Sequence, residues 1–458
     1  MERLNPQDLM LLWPDDLGWP EDIGALAILE GTRLLDPDGG FRIETVREVI
    51  GNRLHLVPRF RQLLYMPRWG LGVPLWVDAQ SFDLAEHVQV FPLAAPADET
   101  QLLLAVEQLR TRRLQRSRPL WEMWFLPGLR GGRVGMFVKV HHTIADGAAG
   151  VVLLGAFLDL DADASATPRR PWTPAPVPSS RDLFKDNLRR RVLAAKAELS
   201  KFGHPRTTLR QVRETWPATR EAFVRERAPR TSLNRPIGQH RTLTVIRGRL
   251  DVAKQIAHAH DVKLNDVLLS AIAGGLRDVL RGRQEHVENL VLRAFVPVSL
   301  HQGEQGQARG NEDGMMFVPL PLGVTDPVRR LQLIAAESAE RKKKIVRPPE
   351  GILARNLVLQ RAMMRLLVHQ RRMNVYVADV PGPPMPLYLA GAQLLEVFPV
   401  VPISANVTLA VAALTYAGQF NITVVADAEA CPDADVFAES LRNSLEALSP
   451  YRPHADAS

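Results

Sequence analysis

Cysteine is almost absent: Cys431 is the single one in 458 residues. No internal disulfide can form, which excludes a disulfide-built secreted fold and favours a reducing compartment. Cys431 sits in Ala430-Cys431-Pro432-Asp433, a turn-like stretch with no adjacent base, so a structural thiol is expected. Long hydrophobic runs are missing too. Nowhere do about 18 apolar residues follow one another, so no transmembrane helix is expected. The opening MERLNPQDLMLLWPDD has a short, interrupted apolar run followed by two aspartates and does not read as a signal peptide. A cytoplasmic location is the expectation. No Gly-x-Ser-x-Gly elbow occurs, which argues against a serine hydrolase.

What remains is ordinary globular material, 46% hydrophobic and 23% charged. At ~100–200 residues per domain, two or three domains are expected, with a core that needs no covalent staples. The net charge of +7 is unevenly placed. Between Arg169 and Arg235 there are 17 Lys/Arg against 6 Asp/Glu, so the flanks are mildly acidic. Such a basic middle suggests a local anionic contact. Its few aromatics form no recognition module, so no nucleic-acid partner is expected.

Local patterns mix strand and helix. Gly24–Glu30 reads as a buried strand, and Thr100–Gln115 has helical apolar spacing at Leu103, Val106, Leu109 and Leu114. Trp121–Leu126 and Val134–His142 read as two strands joined at Gly128, Gly131 and Gly132, a hairpin and not a phosphate-binding loop. A helix is expected after Gly147, then an extended Pro-rich linker, then a helix over 181–202. In the second half, RTLTVIRGRL is strand-like, Leu264–Leu280 is helical, and two strands flank Ala417-Gly418.

The sharpest feature is Val138-Lys139-Val140-His141-His142-Thr143-Ile144-Ala145-Asp146-Gly147. Alternation along a strand points the two histidines opposite ways, which counts against one shared metal and suits a single imidazole acting alone. With a pKa near ~6.5, such a ring is a fit general base for a hydroxyl. On spacing alone two readings stand: a catalytic base, or a hydrogen-bonded core histidine with Asp146 capping the following helix. The small residues from Gly147 to Gly150 suit close approach of a ligand or close packing equally.

HHTIADG resembles the HHxxxDG motif of CoA-dependent acyltransferases and condensation domains, and the whole chain resembles the bacterial wax ester synthase/diacylglycerol acyltransferase family. Further segments occur in that family's order: Leu4-Asn5-Pro6-Gln7-Asp8, Phe82-Asp83-Leu84 with His87, Pro119-Leu120-Trp121, Asn265-Asp266, Val296–Leu300, Gly310-Asn311 and Val380-Pro381-Gly382-Pro383. The resemblance implies an α/β (α+β) fold of two chloramphenicol-acetyltransferase-like lobes. Each would be a mixed sheet with flanking helices, with a tunnel at the interface. The chain then divides into an N-terminal lobe over 1–168, a Pro-rich basic connector over 169–238 and a C-terminal lobe over 239–458.

The implied activity is O-acyl transfer from long-chain acyl-CoA to diacylglycerol or a long-chain alcohol. Carried over by position, His142 is the general base and His141 supports its geometry. Asp146 would hold the loop by pairing with an arginine, for which Arg293 is the candidate. Gly147, Asn265 and Asp266 bind substrate or order the site; for Asn265 an N-cap role is an equal alternative. No metal and no cofactor is implied, acyl-CoA being a substrate. The PLW segment is expected to pack beside the central strand. The chain departs from the family pattern at Ala417 in Tyr416-Ala417-Gly418, at Asp379 before Val380, at His301, and in the residues after Asn311. A different acceptor, a polyketide-type alcohol or an amine, is the alternative activity, and a non-catalytic lipid-binding homologue the alternative class.

The 181–202 segment carries an apolar stripe at Phe184, Leu188, Val192, Ala195, Leu199 and Phe202, with Lys185, Arg189, Arg190 and Lys196 off the stripe. It suits either a helix lying on an anionic membrane or lipid droplet, or a crossover helix packed on both lobes with solvated basic edges.

Overall fold

A computed structural model describes residues 1–145, 147–202, 227–299, 313–343, 345, 365 and 367–449. Its first half runs β1 (Glu2–Arg3), α1 (Pro6–Leu12), β2 (Asp22–Leu29), α2 (Ile43–Arg53), β3 (Gln62–Tyr65), β4 (Leu75–Asp78) and β5 (Val88–Val90). Then follow α3 (Glu99–Thr111), β6 (Trp121–Leu129), β7 (Arg133–His141), α4 (Gly147–Gly155) and α5 (Ser180–Phe202). The second half runs β8 (Arg241–Ile246), α6 (Leu250–Ala259), α7 (Leu264–Gly282), β9 (Val291–Ser299), β10 (Asp313–Pro321) and α8 (Pro327–Lys342). It closes with β11 (Val375–Val380), β12 (Tyr388–Leu389), β13 (Ala392–Val400), β14 (Leu409–Tyr416), β15 (Gln419–Asp427) and α9 (Ala434–Ala447).

These elements make two six-stranded mixed sheets, ordered β12-β13-β2-β7-β6-β5 and β10-β9-β11-β14-β15-β8, and a small sheet β1-β4-β3. The β6–β7 hairpin forms where its glycines sit. Gly131 and Gly132 have φ of 74° and 63°, the left-handed backbone that a tight hairpin turn requires. The two halves share a strand pair. β12 and β13 fall within 239–458, yet β13 pairs antiparallel with β2, from Val400 opposite Gly24 to Leu394 opposite Leu29. Without β13, the apolar strand β2 would be a bare sheet edge.

Three apolar layers follow. Between the sheets, Leu26, Ile28, Phe137 and Phe398 of the first meet Leu243, Val245, Ala410, Ala412 and Val425 of the second. The outer side of the first sheet packs Met136, Val138 and Val140 against Val46, Ile50 and Phe157. The outer side of the second packs Val375, Val377, Val411 and Ile422 under α7 and α9. Cys431 is buried behind α9, and burial pushes its thiol up to about 12, so it stays an inert packed thiol at neutral pH.

The family-like segments earn their places by packing. Asn5 caps α1, its side-chain oxygen accepting the Asp8 N–H at 2.7 Å, and Pro6 takes the first helical position. Trp121 is fully buried, donates its indole N–H to the Phe60 carbonyl at 2.9 Å, and stacks on Phe60 at 4.4 Å and His87 at 4.6 Å. Phe82 stacks on the other side of His87 at 5.1 Å. The FDLxxHV and PLW segments are thus one aromatic column beside the central strands.

Candidate active site

β7 delivers the paired histidines. Its alternation holds as read: Met136, Val138 and Val140 face the outer core, while Phe137 faces the layer between the sheets. On the Phe137 side the strand then carries Lys139 and His141, both 1% exposed. Lys139 turns its ammonium to the C-terminal carbonyls of α3, donating to Leu109 O at 3.2 Å and to Arg112 O, with Glu122 at 3.7 Å. A buried cation at a helix C-terminus is well matched by those carbonyls and by the helix dipole.

His141 is held at both ring nitrogens. Nδ1 is 2.8 Å from the Thr143 hydroxyl and accepts the Thr143 N–H at 3.2 Å; Nε2 is 3.1 Å from Asp15 Oδ2. In either protonation state Nε2 can carry the hydrogen that Asp15 accepts. Asp15 comes from the short 3₁₀ turn Pro14–Leu17 and is also 3.4 Å from Arg116. Burial depresses the His141 pKa, but the Asp15 hydrogen bond and the charges of Asp15, Asp22 and Glu21 outweigh it, so the net shift is upward. Burial works upward on Asp15, and the His141 hydrogen bond and charge overcome it, leaving its carboxyl below the usual range. Glu21, buried beside them, is pushed up to about 7 by that burial.

His142 follows immediately, half-buried, in the turn after β7. Its backbone N–H donates to the Glu21 carbonyl at 2.9 Å, extending the β2–β7 ladder beyond the Asp22–His141 pair. The Ile144 N–H donates to the His141 carbonyl at 2.9 Å and closes the turn. His142 is thereby fixed by its main chain, while the ring before it is locked by Thr143 and Asp15. Gly147 opens α4, which lies against β11 of the second sheet. An added Cβ at Gly150 would sit 3.5 Å from Ile23, ordinary contact, so packing does not demand glycine there. Asp146 lies outside the described residues, as do His301 and the Gly310-Asn311 pair. Arg293 is buried in β9, with its guanidinium 4.9 Å over Phe317.

The ND pair stands in the second lobe at the head of α7. Lys263 takes the N-cap position of this helix, so Asn265 is inside the helix and is not its cap. The capping contact comes from Asp266, whose Oδ2 accepts the Lys263 N–H at 3.1 Å. Asn265 Oδ1 is buried and has no hydrogen-bond partner among the described residues. A buried amide oxygen without a partner is rare in a folded protein and suits a contact to a ligand. Asp379, in β11, is pushed up to about 6 by burial. The departure at Ala417 has a plain location: Ala417 and Gly418 form the β14–β15 hairpin turn, with φ of 44° and 84°. The Tyr416 hydroxyl, buried beside it, donates to Leu394 O and accepts the Leu387 N–H, both at 2.9 Å.

Sequence reading missed Asp15 and Glu21. Asp15 meets His141 across 126 positions of chain, and no local pattern announces such a pair. Among the described residues, no group of three or more His, Cys, Asp and Glu is placed to hold a metal ion.

Paired histidines at the end of a central strand, two mixed sheets and a strand exchanged between halves make one two-lobed arrangement, and comparison with known proteins identifies its class as acyltransferase. Residues 4–268 match the wax ester synthase/diacylglycerol acyltransferase catalytic domain and residues 309–449 match the C-terminal domain of the same family. The chain belongs to that family and is an O-acyltransferase of its type. A Mycobacterium bovis relative named as a diacylglycerol O-acyltransferase is 31% identical over 446 residues, 93% of this chain and 90% of the relative. A Mycobacterium tuberculosis relative of the same name is 30% identical, covering 99% of this chain and 96% of its own. Among solved structures, the wax ester synthase/diacylglycerol acyltransferase of Marinobacter aquaeolei VT8 superposes with a TM-score of 0.68 at 24% identity, covering 98% of each chain. The starter condensation domain of rhizomide synthetase shares the fold, with a TM-score of 0.59 at 14% identity over 98% of this chain and 95% of that one.

Proposed function

We propose that this protein transfers a long-chain acyl group from acyl-CoA to the hydroxyl of diacylglycerol or of a long-chain alcohol, with His142 as general base. The observation that carries the proposal is the fixed position of His142, whose N–H is bound to Glu21 O and whose neighbour is locked at both ring nitrogens. A base held by its main chain spends little orientational entropy when substrates arrive.

In this scheme His142 accepts the proton of the acceptor hydroxyl as that oxygen bonds to the thioester carbonyl carbon. The tetrahedral adduct then expels the CoA thiolate, and the imidazolium returns the proton to sulfur. The products are the ester and free CoA thiol, with no acyl-enzyme. General-base action is worth about 10²–10⁴-fold, and the rest must come from alignment and from donors to the oxyanion. Asn265 and Asp266 at the head of α7, Gly147 at the start of α4, and Asp146 are assigned to ordering substrate or loop. The tunnel between the lobes belongs to the same proposal. The relatives named as diacylglycerol O-acyltransferases support the glyceride acceptor.

The test is thiol release from palmitoyl-CoA with diacylglycerol and, separately, with a long-chain alcohol. Turnover with one or both, lowered about 10²–10⁴-fold in His142→Ala, is expected. No turnover by the wild type, or equal turnover by the variant, refutes the assignment.

A further inference from the structure

Helix α5 leaves the first part of its apolar stripe, Phe184, Leu188 and Val192, unburied. It meets the body through one edge: Leu183 is buried, Arg3 Nε donates to Asp186 at 2.6 Å, and Asn187 Nδ2 donates to the Gly70 carbonyl at 2.8 Å. At 100° per residue, Phe184, Leu188 and Val192 fall within about 80° of arc, turned away from that edge. They are 54%, 51% and 45% exposed. The Gly70 contact brings up the neighbouring loop, where Trp69 is fully exposed at 101% and Met66 is exposed. Arg68, Arg181, Lys185, Arg189, Arg191 and Lys196 surround these side chains and are themselves exposed. Of the nearby carboxylates, Asp186 is already paired with Arg3 and Arg190, and Asp182 is bound by Ser179.

We propose that the outward stripe of α5 and the Trp69 loop form one docking face for an anionic phospholipid bilayer. The crossover reading, a helix packed on both lobes, leaves three large apolar residues and a tryptophan in water without a reason. A bilayer supplies one for each part. Phe184, Leu188 and Val192 enter the acyl boundary, and the indole of Trp69 takes the headgroup level that tryptophan favours. The surrounding guanidinium and ammonium groups face lipid phosphates, which no neutral surface would repay. No described helix is long and apolar enough to cross a membrane, and the proposed contact is one of a surface with the headgroups and acyl boundary. The inference is independent of which acceptor the active site takes, although a surface that holds water-insoluble substrate would serve that chemistry.

The experiment is co-sedimentation of the full chain with vesicles of phosphatidylcholine alone and of phosphatidylcholine with phosphatidylglycerol. Binding to the anionic vesicles, weakened as salt is raised, is expected. Phe184→Glu with Leu188→Glu should lower it by about tenfold or more, and Lys185→Glu with Arg189→Glu should remove the preference for phosphatidylglycerol. The fluorescence lost in Trp69→Phe should be the component that shifts to the blue on anionic vesicles. The proposal is overturned if the wild type ignores anionic vesicles or if the Phe184/Leu188 variant binds as tightly as wild type. It is also overturned if sedimentation velocity shows a dimer that this variant dissolves, which would make a second copy the occupant. Acyl transfer measured in detergent should survive all of these substitutions; its absence in the wild type would count against the active-site reading and leave the vesicle result standing.

Discussion

The two six-stranded sheets share a plan and differ in what they bury. The outer side of the second is aliphatic under α7 and α9, with Val375, Val377, Val411 and Ile422 closely packed. The first buries Asp22, Lys139 and His141 toward the end where β2 enters it and β7 leaves it, with Glu21 and the partly buried Asp15 alongside. Enclosed charge is expensive unless it is paired and hydrogen-bonded. The first sheet meets that condition with Asp15 on His141 and carbonyls on Lys139, and it does so next to His142. The second sheet encloses charge as well, Arg293 in β9 and Asp427 in β15, but away from the paired histidines; the proposed mechanism therefore gives proton chemistry to the first lobe, and packing with a few binding groups to the second.

The largest expected effect tests that division directly. His142→Ala should lower kcat by about 10²–10⁴-fold while the thermal midpoint hardly moves. Next comes Asp15→Asn, which keeps the shape but weakens the hold on His141. We expect kcat to fall by roughly tenfold and stability near neutral pH to fall by about 1–3 kcal/mol, as for a buried hydrogen bond lost with one partner left in place. The stability loss should depend on pH with a definite sign. Asp15 is depressed in the fold, so its contribution is present above its ordinary value of 3.8 and vanishes as pH falls through the lower folded value. His141 is raised, so its contribution is full below 6.5 and vanishes as pH rises through the higher folded value. The gap between wild type and variant should therefore be widest between those two ordinary values and narrow on both sides. Glu21, Asp22 and Arg116 face the same pair and remain in both proteins, so comparing the two largely removes their own titration. Chemical denaturation across the pH range, read beside the kcat profile, checks both expectations. A gap that did not change with pH would separate Asp15 from His141.

In the second lobe the expected effect is smaller and of another kind. Asn265→Ala removes a buried amide oxygen that has no described partner. If that oxygen meets a substrate, KM for donor or acceptor should rise by about two- to tenfold, the worth of one neutral hydrogen bond, with kcat close to wild type. A loss confined to kcat would instead bring proton chemistry into the second lobe and break the division.

Where signals were local, the sequence was legible. The β6–β7 hairpin, α5, α7 and the β14–β15 pair lie where periodicity and turn residues put them, and so does α3 except that it stops at Thr111, short of the expected Leu114 and Gln115. These elements are set by neighbours in the chain, and period and punctuation record such neighbours. The expected strand ran through His142, whereas β7 ends at His141 and His142 stands one residue beyond it in the turn. What escaped notice involves distant chain. Nothing in Ala392–Val400 tells that it pairs with β2, because a buried apolar strand fits either sheet. Asp15 and Glu21 look like ordinary acids of a polar turn until folding sets them against the histidines. The aromatic column shows why PLW and FDLxxHV belong together, a contact between Trp121 and His87 that spacing does not encode. The N-cap alternative for Asn265 failed by two residues, since helix ends are the least determined part of any periodic pattern.

The smallest expected effect lies at the turn where this chain departs from its family. Ala417 holds a φ of 44°, a left-handed conformation that costs an alanine roughly 1–2 kcal/mol because its Cβ crowds the backbone. Ala417→Gly removes that strain but gives the unfolded chain more freedom, a loss of about 0.5–1 kcal/mol. The net expectation is a gain of about 0.5 kcal/mol, with the Ala417 N–H still donating to Pro383 O at 3.0 Å and turnover unchanged. Ala417→Asp should stabilise comparably, since aspartate tolerates this backbone better than alanine does. Denaturant midpoints and kcat measured side by side decide the point. Stabilisation without a change in rate makes the departure a matter of turn chemistry. A rate that rose with the aspartate and not with the glycine would put a carboxylate from the second lobe to work at the site, and the contrast between the sheets would have to be redrawn.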